Sequence, residues 1–305
     1  MKKETLVVAS RRLTSYLLIG FAVSIISACG DDTCSKHVPY CIPGDFSVAD
    51  AAPGLAMYER TVQADGAVTK DYVIVIDLRA GASLQLFHGP TLTKSDNPLI
   101  LRQSLRSAWN RFRSDQDNAF CLSNGTFFDN DILHQLLTTL AYPLKVNGQM
   151  VTHGYPSGND PACSGCKKMM LHMWDTRAEI TEYDASWFCD EPSSLCAPNI
   201  VVGNGKNANR SASESVGRTY VGVGNSGDGA FHDTILLLST NRATDQEAWE
   251  ILERDFCVSQ SMMLDGGGSA QLICSLDPDR PLIRSSDPIP RTVPQMLAVL
   301  AGSDG

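Results

Sequence analysis

The sequence predicts an α+β fold: a single catalytic domain of mixed or antiparallel sheets with a few packed amphipathic helices. Strand-like and hairpin-like runs dominate the chain. Only two segments show clear helical spacing of apolar residues, and long intervals separate them. That is not the regular strand–helix alternation of a doubly wound parallel sheet.

The elements follow in order. Tyr72 to Leu78 is β-branched and apolar, Arg79 to Ala82 supplies a turn, and Ser83 to Phe87 alternates, which reads as a hairpin. Asn97-Pro98 supplies a cap and a first-turn proline for a helix whose Leu101, Leu105, Ala108, Trp109 and Phe112 share one face. Ala119 to Leu122 is a strand running into Ser123-Asn124-Gly125-Thr126-Phe127-Phe128-Asp129. Leu133, Leu136, Leu137 and Leu140 suggest an inserted helix within Asp129 to Tyr142. Lys145 to Val151 is a hairpin turning at Asn147-Gly148. Thr219 to Gly224 and Thr234 to Leu238 are strands. Thr244 and Glu247 then form a capping box for a helix with Ala248, Trp249, Ile251, Leu252 and Phe256 facing inward. Thr292 to Leu300 closes the chain as a strand.

The N-terminal residues read as an address rather than as fold. Lys2, Lys3, Arg11 and Arg12 precede an apolar stretch, Leu13 to Ile26, too short to span a bilayer comfortably. Ile26-Ser27-Ala28-Cys29 resembles the lipobox of bacterial lipoproteins. Residues 1–28 are therefore expected to be a signal peptide, with Cys29 the lipidation site, 29–55 a tether and 56–305 the domain. Gly30 stands where the inner-membrane retention signal has an aspartate, so the expected address is the outer membrane, with membrane contact through the lipid anchor only. The net charge of −9 argues against nucleic acid as a partner.

Ten cysteines suit an exported protein. Cys34 and Cys41 are expected to bridge. Cys163, Cys166, Cys189 and Cys196 lie in an insertion at about 160–200 and have two readings. One is a zinc site built on Cys163-Ser-Gly-Cys166; the other, favoured by the unequal spacing and an oxidising compartment, is two disulfides. Cys121, inside an apolar strand, is the candidate free thiol.

The chemistry is expected at Asp265-Gly266-Gly267-Gly268-Ser269, which lies between two apolar runs. Three consecutive glycines cost conformational entropy, and they suit a backbone that approaches a ligand closely or gathers N–H groups into an anion-binding concavity. A tight turn between strands is the plain alternative. Two further motifs precede it, Asn124-Gly125-Thr126-Phe127-Phe128 and Gly217-Arg218-Thr219-Tyr220-Val221-Gly222. Over residues 70 to 300 the order and separation of the three resemble the phosphodiester glycosidase family. The resemblance implies hydrolysis of a sugar-1-phosphodiester, removing a sugar such as N-acetylglucosamine from a phosphorylated glycan at the cell envelope. It assigns catalysis to Asp265, Arg218, Asn124 and Asp129. Asp265 is the base or stabilising carboxylate, Asp129 the second carboxylate, and Arg218 the fork for phosphate oxygens. Asn124 is expected to hold a sugar hydroxyl or the phosphate. Gly266, Gly267, Gly268, Ser269, Gly125 and Thr126 are the expected binding residues.

No cofactor is expected, with a bound divalent cation such as calcium the alternative. Asp129, Asn130 and Asp131 are residue types that hold calcium but lack EF-hand spacing, and His134, His153, His172 and His232 lack metal-type spacing, so no metal ligands are assigned. The rival reading is a surface lipoprotein that keeps the fold and binds a phosphorylated glycan without cleaving it.

Overall fold

This computed structural model describes residues 40–64, 66–129, 136–155, 167–189, 196–206, 212–225, 232–284 and 291–303. The leader, Cys29, Cys34, Cys163, Cys166, Asn130, Asp131, Leu133 and His134 lie outside the described residues.

The architecture is sheet-rich and antiparallel, with two helices among the described residues, fewer than the sequence predicts. From edge to edge the large sheet runs Ser47–Ala52, Leu55–Ala64, Ala67–Asp77, Thr234–Ala243, Val216–Gly224, Gln260–Met263, Asn199–Asn204, Lys168–Met173 and Ala178–Glu182. The hairpin Leu144–Val146/Gln149–Thr152 adds to it through Asn199–Asn204. A four-stranded sheet runs Leu272–Cys274, Ala119–Asn124, Gln295–Leu300, Ser83–His88.

Period-two alternation sorts each strand of the large sheet between two cores. Tyr72, Ile74 and Ile76, with Ile235, Leu237, Val221 and Val223, face the small sheet and share one core with it. Helix α1 (Leu105–Asp115) contributes Leu105, Ala108, Trp109 and Phe112 to that same core. Val73, Val75, Leu236, Leu238 and Tyr220 face the other way, onto Ala248, Ile251, Leu252 and Phe256 of helix α2 (Asp245–Glu250) and its π-turn continuation Ile251–Asp255. Burying an apolar side chain in either core is worth about 1.5–3 kcal/mol.

The capping box at Thr244 and Glu247 forms as expected: Glu247 N–H donates to the Thr244 hydroxyl, and the Glu247 carboxylate accepts from Thr244 N–H at 2.7 Å. The hairpin at Asn147-Gly148 also forms, with φ of 50° and 80° at the two turn residues.

Four expectations are corrected. The run 72–78 and the run 83–87 are not a hairpin, because the two strands enter different sheets. Helix α1 is capped by Ser104 rather than by Asn97, and Ile100–Leu101 is a short strand paired with Leu137–Thr138. That second strand occupies the described part of the stretch read as an inserted helix; its leucines are drawn into extended pairing. Finally, Cys121 is not a free thiol. It lies opposite Cys274 in strand register, Cα atoms 4.0 Å apart, and the two form a disulfide.

Two further observations bear on the ends and the insertion. The described part of the stretch expected as a tether is built into the fold: Ser47–Ala52 is an edge strand, and the N–H groups of Tyr40 and Cys41 donate to the carbonyls of Asn225 and Phe256. Cys189 pairs with Cys196, and Cys41 and Cys257 each take part in a disulfide.

Candidate functional site

The glycine loop leaves the large sheet at Met263 and enters the small one at Leu272, so it spans the junction of the two sheets. Its first residue, Asp265, donates its N–H to the carbonyl of Gly125. Gly266 N–H returns a bond to the Asp265 carboxylate at 3.0 Å. Gly267 has φ of 56° and opens a short 3-10 turn through Ser269. The glycines also allow close approach. A Cβ on Gly266 would come within 2.9 Å of the Gly217 carbonyl, and one on Gly217 within 2.6 Å of the Ala270 side chain. The Gly217 strand and the loop therefore touch backbone to backbone. The N–H groups of Gly267 and Gly268, at the start of the turn, have no intrahelical acceptors.

Asn124 ends its strand fully buried, and both ends of its side-chain amide are engaged. Its oxygen accepts from the Thr219 hydroxyl at 2.8 Å and from Gln271 N–H at 3.0 Å, and its nitrogen donates to the Asp265 carbonyl at 2.6 Å. One amide thus ties the small sheet, the large sheet and the loop together. In this arrangement Asn124 holds the frame of the site. Gly125 fits because a Cβ there would collide with the buried Gln295 side chain. Gln295 in turn accepts from Thr126 N–H at 2.7 Å, and the Thr126 hydroxyl donates to the Val202 carbonyl.

Asp265 is half-buried, and burial pushes its carboxyl up to about 6. The buried Ser269 hydroxyl, the Arg291 and Arg102 guanidinium groups and Gly266 N–H all act against burial and favour the ionised form. A carboxylate with two arginines in electrostatic reach, ionising near neutrality, suits base or charge-stabilising work.

The structure does not bring Arg218 to this carboxylate, which corrects its assignment as a phosphate fork. Along its strand Thr219 faces Asn124, so Arg218 and Tyr220 face the opposite side. There the Arg218 guanidinium is fully buried and donates to the carbonyls of Ala243 and Glu214 at 3.1 and 2.9 Å. Tyr220 donates to Asp245 beside it. Arg218 stabilises the sheet's outer core.

Asp129 lies at the end of the Asn124 segment. It is exposed, follows the Phe128–Leu140 bridge, and its backbone carbonyl accepts from the Thr138 hydroxyl at 2.8 Å. Phe127 packs edge-on against Tyr142, and Phe128 lies under the Arg102 guanidinium. Among the described residues no three metal-ligating side chains come together.

Arg102 and Arg291 were not expected from the sequence. Arg102 Nε and Nη2 both donate to the Thr292 carbonyl, at 3.1 and 2.9 Å. Reciprocal backbone bonds between Gln103 and Val293 hold the two segments together. The Arg291 carbonyl accepts from Gln271 Nε2 at 2.8 Å. Neither arginine sits in a glycine-rich motif, and only tertiary pairing of these segments brings them to the loop.

No curated protein matches the sequence. Among solved structures, the catalytic domain of zebrafish N-acetylglucosamine-1-phosphodiester α-N-acetylglucosaminidase, auto-inhibited by its pro-peptide, is similar with a TM-score of 0.52 at 14% identity, over 87% of this chain and 89% of that one. A protein of Burkholderia pseudomallei described as exported gives 0.49 at 13% identity over 76% and 74%. A hypothetical protein from Synechocystis gives 0.45 at 13% over 81% and 62%. At these identities the zebrafish likeness speaks to fold. The sequence itself matches the phosphodiester glycosidase family model over residues 122–300, which takes in the Asn124 segment, the Arg218 strand and the Asp265 loop. By that match the chain belongs to the phosphodiester glycosidase family.

Proposed function

We propose that the chain hydrolyses a sugar-1-phosphodiester, with Asp265 as the working carboxylate. The observation that carries this reading is Asp265 itself: half-buried, raised to about 6, in a glycine-lined turn beside two arginines. The reaction breaks the bond between the anomeric carbon and the phosphodiester oxygen. That oxygen leaves with the bonding pair as part of a phosphate monoester. Water adds its hydroxyl to the carbon, and its proton passes to the Asp265 carboxylate and on to solvent. A phosphate monoester is a good leaving group, so activation of water and support of the oxocarbenium-like carbon outweigh protonation of the leaving oxygen. A carboxylate of pKa near 6 is a better base than one near 4 and is still largely ionised at neutral pH.

The zebrafish neighbour is named for cleaving an N-acetylglucosamine-1-phosphodiester, and that substrate class is the one we carry to this chain. The disulfides suit an oxidising compartment outside the cytoplasm, in keeping with export and lipid anchoring at Cys29. The test is release of free sugar from a panel of sugar-1-phosphodiesters by the parent and by Asp265→Asn. Release lost in the variant supports the reading. A folded parent that releases no sugar from any of them overturns it.

A further inference from the structure

We propose that Arg102 and Arg291 together form the seat for the phosphate group, of the substrate and of the phosphomonoester product alike. The inference deepens the proposed function by assigning the anion's position, but its test does not need turnover.

The two guanidinium groups lie within electrostatic reach of each other; burial and the neighbouring Arg291 both pull the Arg102 pKa down. Asp265 is the carboxylate that acts on Arg102 in compensation, and its own ionisation is held back by burial. Two arginines stand beside one carboxylate here, in a chain of net charge −9.

The geometry is that of a held fork. The Arg102 guanidinium lies 5.0 Å above the Phe128 ring and spends Nε and Nη2 on one carbonyl, that of Thr292. The Nη1 corner is uncommitted among the described residues. Fixing a guanidinium on an aromatic face and a backbone oxygen lowers the entropy lost when it meets an anion. The adjacent Arg291 is fixed through its own backbone by Gln271, and the half-buried Asp265 and Arg291 mark where the cluster meets solvent. Arg102 also lies outside the matched residues 122–300, so the family match does not assign it.

The groups that face Asp265 are Arg102, Arg291, the Ser269 hydroxyl and Gly266 N–H. A phosphate bound to the arginines adds negative charge beside the carboxylate and must raise its pKa. By reciprocity, protonating Asp265 must tighten phosphate binding.

The experiment is a titration of the full chain with inorganic phosphate, followed calorimetrically and by carbon NMR of the Asp265 carboxyl. The expected result is saturable binding, weakened at least tenfold in Arg102→Gln and in Arg291→Gln and unchanged in Arg254→Gln, an exposed arginine on the other side of the large sheet. In the parent, phosphate should move the Asp265 titration upward, a reading that no loss of fold in a variant can mimic. Absence of binding in the parent, equal binding by all variants, or an Asp265 titration unmoved by phosphate overturns the proposal. Phosphate binding without sugar release from any phosphodiester leaves the seat standing and removes the hydrolase reading instead.

Discussion

The side-chain nitrogen of Asn124 donates to the backbone carbonyl of Asp265 across 141 positions of sequence, at 2.6 Å. The motif asparagine thus holds Asp265 through its main chain, leaving the Asp265 carboxylate to face Ser269 and the arginines.

Asn124→Ala would leave three buried partners without their bonds: the Thr219 hydroxyl, Gln271 N–H and the Asp265 carbonyl. A loss of about 2–4 kcal/mol is expected from urea unfolding. Sugar release should fall more steeply than the folded fraction, because the loop is released from both sheets.

Asp265 should give activity an acidic limb. Below about 6, sugar release is expected to fall roughly tenfold per pH unit, and above it to level off. The stability effect has the opposite sense. With the folded pKa raised above the ordinary 3.8, the protonated form is favoured in the native state, so stability declines as pH rises through this window. Asp265→Asn should therefore be inactive yet more stable than the parent at pH 7, by about 1–3 kcal/mol in denaturant titrations.

His172 runs the other way. It is buried between Trp174 and Trp187, its Nε2 meets the Thr181 hydroxyl at 2.9 Å, and burial pushes it down to about 4. The neutral ring stabilises the fold fully above pH 6.5, and that contribution is lost as pH falls towards 4, by about 3 kcal/mol at most. His172→Phe should flatten this acid slope. Unfolding free energies measured from pH 7 to 4 in the parent and the two variants separate the opposed contributions of His172 and Asp265.

The Cys121–Cys274 bridge closes a separation of 153 residues inside the small sheet. Replacing both with alanine should lower stability by about 3–5 kcal/mol, read as a drop in Tm by circular dichroism. Because Cys121 lies three positions before Asn124 in the same strand, sugar release should become more heat-sensitive than in the parent.

Much of this was legible in local pattern. The glycine run, the Thr244–Glu247 box and the core face of Leu105, Ala108, Trp109 and Phe112 depend on neighbours in sequence, and each appears in the structure. What is not legible depends on partners far away. The strand register that sets Cys121 opposite Cys274 has no local signal. Motif proximity points Arg218 toward the loop, but the strand's own alternation sets it with Tyr220, opposite Thr219. Arg102 follows a short apolar run with no motif, and it reaches the loop only when Gln103 pairs with Val293.

One buried amide, that of Asn124, accepts from Thr219 of the large sheet while its own backbone belongs to the small one. The loop that carries Asp265 is therefore posed only where the two sheets are docked in register. A chain with native strands but slipped or undocked layers would hold the Asp265 main chain from one side alone, so the place of this one carbonyl reports on the docking of the whole domain.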